Sequence, residues 1–167
     1  MATDLCVEYS VGSSLKVNQG GMSGTTTTIR ATSIVGLDGR PIRATIVPNG
    51  AADGGDKLTA RFGPRLIRFN GEIFVYQANE LLTPADAVRN GQMTQYLTAV
   101  NTLVDAWVSG LEALLNSTFT LAWTPTGLGA DSLTCTYGFE GAEFQSVPSP
   151  DLSGWTTVSF GLVAETG

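Results

Sequence analysis

Residues 93–114 constrain the fold more than any other part of the chain. Their apolar members, Met93, Leu97, Val100, Val104, Trp107, Leu111 and Leu114, recur in alternating steps of four and three, which lays them along one stripe of an α-helix. The opposite face carries Thr94, Thr98, Asn101, Asp105 and Glu112. Just upstream, Thr83 can cap a helix, Pro84 suits its first turn, Asp86 favours the positive end of the dipole, and Gly91 is a point of interruption. A helix with one apolar face must cover an apolar surface, and on both sides of it the sequence changes to the two-residue alternation of strands. The expected fold is therefore α+β: a mainly antiparallel β-sandwich or barrel with one long amphipathic helix packed on it.

The strand segments can be placed one by one. Residues 5–10 suit a first strand, and residues 25–34 and 41–47 alternate around a turn signal at Gly36 and Gly39, which predicts a hairpin. Residues 57–61 suit a short strand. Residues 65–69 and 72–77 flank Asn70-Gly71, a pair that tolerates the positive φ angles of a type I′ turn, so a second hairpin is predicted there. Downstream of the helix, Phe119, Leu121 and Trp123 alternate with Thr120 and Ala122, and residues 133–139 and 155–164 suit two further strands. Gly-rich stretches at 12–24 and 48–56 are expected as loops, with Gly20, Gly21, Met22, Gly54 and Gly55 as candidate inter-subunit contacts. The sum is seven or eight strands in a single domain spanning 1–167, a length sufficient for one core.

Several function classes are disfavoured by composition. The chain has no His, which removes the commonest general base and metal ligand together with every Ser-His or Cys-His pair. No phosphate-binding loop, dinucleotide fingerprint or nucleophile elbow is present. Two carboxylate pairs, Glu140 with Glu143 and Asp53 with Asp56, have the residue types a glycosidase needs, and Asp38, Asp53 and Asp56 those of a calcium site, but both sets lie in or near Gly-containing stretches where solvated acids are ordinary. No enzyme activity, cofactor or metal is expected. Cys6 and Cys135 are too few and too distant for a disulfide framework. No basic leader or membrane-length apolar run occurs, so a soluble protein made in the cytoplasm is expected.

Charge is scarce, at 14% of residues with a net of −6, which argues against tight binding to phosphate backbones. It is also unevenly spread. Beyond Arg89 no Lys or Arg follows, whereas Asp105, Glu112, Asp131, Glu140, Glu143, Asp151 and Glu165 do. Such a subunit is polar and suits a head-to-tail stack. Of the three tryptophans, Trp107 and Trp123 fall on core-facing patterns, while Trp155, beside Gly154 at a strand start, is a candidate surface ring for stacking a sugar.

From residue 65 onward the order of segments, LIRFNGEIFVY, then TAVNTLVDAWVSGLEALL, FTLAW and LSGWTTVSFGLVAE, resembles the tail-tube and distal-tail (baseplate hub) proteins of tailed bacteriophages. The resemblance implies a virion structural protein, a tail tube, distal-tail ring or adaptor subunit assembled in the host cytoplasm. Such subunits form homo-oligomeric rings, commonly hexameric, and contact other tail proteins. DNA passes through the channel without specific binding, which a Lys-poor, net negative subunit would allow. The alternative left open by the residues is a carbohydrate- or protein-binding β-sandwich module.

Overall fold

The structure, a computed structural model, describes residues 6–20, 26–37, 42–48, 55–62, 65–124, 129–150 and 154–164. In chain order its elements are β1 (Cys6–Val11), β2 (Leu15–Gly20), β3 (Thr28–Val35), β4 (Ile42–Pro48), β5 (Gly55–Phe62), β6 (Arg65–Gln77), β7 (Glu80–Leu82), α1 (Pro84–Arg89), α2 (Met93–Ala113), β8 (Phe119–Trp123), β9 (Asp131–Thr136), β10 (Gln145–Val147) and β11 (Thr157–Ala164).

Nine of the strands form one sheet in the order β10-β11-β9-β8-β1-β2-β3-β6-β7, and the pairing of β11 with β6 closes seven of them, β1, β2, β3, β6, β11, β9 and β8, into a barrel. A barrel of this size is filled by its own side chains. The alternation supplies them: Tyr9 and Val11 of β1, Leu15 and Val17 of β2, Ile67, Phe69, Ile73 and Val75 of β6, Leu121 of β8, Cys135 of β9, and Val158, Phe160 and Leu162 of β11 are all buried in one cluster. Phe69 stacks on Phe160 with ring centres 4.8 Å apart, and Tyr9 lies edge-on to Phe69 at 6.1 Å. Of the two architectures open to the sequence, the β-rich domain is thus a closed barrel, not a sandwich. Pairing is antiparallel except between β2 and β3, which run parallel, and at the isolated bridge of Leu115 with Tyr137.

Four expectations are corrected. The helical stretch is two helices. Thr83 caps α1, its hydroxyl accepting the Asp86 N–H at 3.1 Å, but Gly91 at φ +67° turns the chain before α2 begins, and no regular helix passes through the left-handed region. Secondly, Asn70-Gly71 is no turn: β6 runs unbroken through it for 13 residues, because β3 and β11 pair with it on its two edges across this point. The reversal comes later, at Ala78 (φ 51°) and Asn79 (φ 65°), where β6 meets β7.

Thirdly, β3 and β4 are not partners. β2 and β6 occupy the two edges of β3, so β4 pairs with β5 in a separate two-stranded sheet. Lastly, the expected loop at 12–24 contains β2, whose Leu15 and Val17 point inward between Lys16 and Asn18. Of the loop candidates, Gly20 ends β2 and Gly55 begins β5, while Gly21, Met22 and Gly54 lie outside the described residues. The expected turn after β3 is described only as far as Leu37. Among the described residues no helix is long and apolar enough to cross a membrane.

Candidate assembly surfaces

The helix α2 is seated at the barrel end marked by the β1–β2 turn. Gly110 packs so closely on Leu15 that a β-carbon there would stand 2.9 Å from its methyl groups, and Leu114 reaches Gly12 of the turn. Trp107 is the anchor: 2% exposed, its ring lies 5.0 Å from Phe160 and 5.8 Å from Phe144, which makes a continuous aromatic cluster from the helix through Phe160 to Phe69, its cross-strand neighbour on β6. Of the predicted stripe, Val100, Trp107 and Leu111 are buried, and Met93, Leu97, Val104 and Leu114 are partly buried against the same core. Tyr96 is buried as well and Leu103 packs on the core, so the contact face is turned toward positions 96 and 103 from the one the spacing suggested.

Tyr96 is the one side chain among the described residues whose polar atom is fully enclosed without a hydrogen bond. Burial raises its phenol pKa above the ordinary tyrosine value, and Thr156, facing it without a well-directed bond, offsets part of that rise. The unfolded chain therefore ionises before the folded one. The stabilising difference is full below the ordinary tyrosine pKa of about 10 and is lost as pH rises through the folded value. Tyr96→Phe removes a buried hydroxyl that lacks a partner, so it is expected to raise the unfolding free energy by about 1 kcal/mol at neutral pH and to flatten the alkaline limb. Urea unfolding at neutral and alkaline pH measures both.

Of the carboxylate candidates, Glu140 and Glu143 are the ones whose side chains the structure describes. Glu140 and Glu143 are exposed, and the Glu143 carboxylate accepts the Gly141 N–H at 3.2 Å. Its own backbone N–H and that of Gly141 hold its carboxyl below the usual range, which describes a turn clamp in water. Asp38 and Asp53 lie outside the described residues. Among the described residues no group of three or more His, Cys, Asp or Glu comes together around a common point. Trp155 is half-buried with its ring 4.5 Å from Phe74, and Arg30 lies over the other part of that stack, 5.2 Å from the Phe74 centre. Trp123 stacks on Tyr9 at 5.8 Å as part of the core.

What the molecule presents outward is polar surface with a few apolar points. An open groove of about 530 Å³ runs between α2 and the β2–β3 side of the barrel, bordered by Leu15, Asn18, Thr27, Thr28, Leu103 and Trp107. Leu115 and Phe139 are exposed near one another, joined through the Leu115–Tyr137 bridge, and Val88 projects from α1. Two surface ion pairs, Glu8 with Lys16 and Asp86 with Arg89, both at 3.1 Å, satisfy charges near the helical end. Among the described residues the ribbon of β4 and β5 pairs with no strand of the main sheet. No family model matches this chain, and no curated protein matches it either.

Proposed function

We propose that this chain is a structural subunit of a phage tail, a tube, distal-tail ring or adaptor protein that assembles with copies of itself around a DNA channel. The observation that carries the reading is the β4–β5 ribbon. A two-stranded sheet is marginal by itself in water, and here, among the described residues, β4 and β5 form a sheet separate from the barrel whose chain they interrupt between β3 and β6. An element of that kind is best explained by a partner that completes it. The segments that carry the resemblance, β6, α2, β8 and β11, are also the ones that close the barrel and seat the helix at its end. A polar, charge-poor surface agrees with this, since faces destined for burial against neighbours carry few charges to desolvate.

The test is direct. Purified protein at rising concentration, viewed by negative-stain electron microscopy and weighed by light scattering, should yield rings or stacked rings of one subunit number. A monomer at every concentration, with or without the other tail proteins of its virion, rejects the reading.

A further inference from the structure

We infer, independently of the tail reading, that the outer wall of the barrel where β3, β6, β11 and β10 lie side by side binds a neutral oligosaccharide, with Glu72 as the central acceptor and Trp155 as the stacking ring. Four paired strands carry the site, and their register fixes which side chains share its face.

Arg30 of β3, Glu72 of β6, Thr157 of β11 and Val147 of β10 form one row across the wall, and Ser33, Asn70, Ser159 and Gln145 form the next. A hollow of about 290 Å³ lies there, lined by Thr32, Asn70, Glu72, Gln145, Thr157 and Ser159, near the small end of ligand-site volumes. Ladders on both edges of β6 hold its floor, so the groups stand in place before any ligand arrives. Asn70 is oriented by donating its Nδ2 to the Ser33 hydroxyl at 3.2 Å, and Thr157 by donating to the Val147 carbonyl at 3.3 Å. Glu72, Gln145 and Ser159 make no side-chain hydrogen bond or ion pair with any described residue. Arg30 stands directly across from Glu72, yet its guanidinium lies over Phe74, 5.2 Å from the ring centre, and no ion pair joins the two.

That set of groups selects a ligand class. A carboxylate accepts from two adjacent hydroxyls, amides and hydroxyls both give and take hydrogen bonds, and a polyol offers both kinds in quantity. One acid and one base on the wall suit an uncharged ligand. Phosphate is disfavoured by Glu72 in the hollow, and a divalent cation by the lone carboxylate. The aromatic part lies on the same face, one row further along the strands. There the Ile73 N–H donates to the Thr156 carbonyl at 2.9 Å, which continues the β6–β11 ladder and brings Trp155 beside Phe74, ring centres 4.5 Å apart. Trp155 is only half-buried, so part of it stays open to the C–H face of a sugar. The two rows are about 7 Å apart along a strand, a spacing that linked sugar rings cover and a single small polyol does not.

An array of neutral oligosaccharides made of hexose and N-acetylhexosamine units, followed by calorimetry of the full-length chain with the best binder, tests the site. Glu72→Gln, which keeps the side-chain shape, should weaken binding by roughly tenfold or more and leave urea unfolding unchanged. Trp155→Ala should weaken it by roughly tenfold, and Trp155→Phe, which retains packing on Phe74 and so guards against loss of the fold, by a smaller factor. Binding of no neutral oligosaccharide overturns the site, and so does equal binding by all three variants, which would put the saccharide elsewhere. Preference for inorganic phosphate or phosphorylated chains overturns it in favour of an anion at Arg30. If Glu72→Gln alters assembly in sedimentation velocity while saccharide binding is unchanged, the wall is a subunit contact. Ring formation by the unaltered chain is read separately, so the tail reading stands or falls on its own test.

Discussion

Trp107→Ala should lower the unfolding free energy by about 4 kcal/mol, the upper range for removing a large aromatic from a core. The indole is 2% exposed and touches Phe160, itself stacked on Phe69, while its other neighbour Phe144 touches Phe160 at 5.9 Å. Truncation thus empties the largest of the buried helix positions in the core cluster, and two rings, Phe160 and Phe144, lose a shared surface. The walls cannot collapse to fill the space, since the seven strands are locked to one another around the full circumference. Asp105→Ala, two residues away and exposed, should change stability by no more than about 0.5 kcal/mol. Urea titration of both variants separates the outcomes: equal, small effects would mean that α2 rests on the barrel without being part of its core.

The helix was legible because its signals are local. Thr83-Pro84 marks a start, and the apolar recurrence from Met93 marks a buried face. What escaped was the rotation of that face toward Tyr96 and Leu103, which is set by Leu15 pressing on Gly110 from 95 residues away in sequence. β2 was hidden for a different reason. Its inward residues are only Leu15 and Val17, too short an alternation to stand out among the glycines and serines around it. Closure of the barrel was not readable at all, since the β6–β11 pairing joins Arg65 to Ala164 and no local pattern encodes such a distant register. The reversal at Ala78-Asn79 lacks glycine, and Ala78 in the left-handed region gives no sequence cue. The separate β4–β5 sheet escaped as well: residues 41–47 alternate like a partner of 25–34, and only the occupation of both edges of β3 by β2 and β6 excludes that pairing.

Gly71→Val should cost about 3 kcal/mol or more, enough to unfold a marginal domain. Gly71 lies among the inward positions of β6, between Phe69 and Ile73, where β3 shifts register between Ala31 and Ser33 and its backbone crowds in. A β-carbon on Gly71 would meet the Arg30 carbonyl oxygen at 2.5 Å and the Ile29 methyl at 3.1 Å. One of these obstacles is main chain held in a ladder, so it cannot swing aside as a side chain would, and the two strands must separate. Glycine is required here for lack of space, the usual reason for a glycine inside a barrel strand. Gly71→Asn decides between the two meanings of the Asn-Gly pair. In a type I′ turn asparagine is a good substitute and the change would be mild. Inside the barrel it forces an amide against a carbonyl in a space without water, and thermal unfolding of the variant should fall at least as far as that of Gly71→Val.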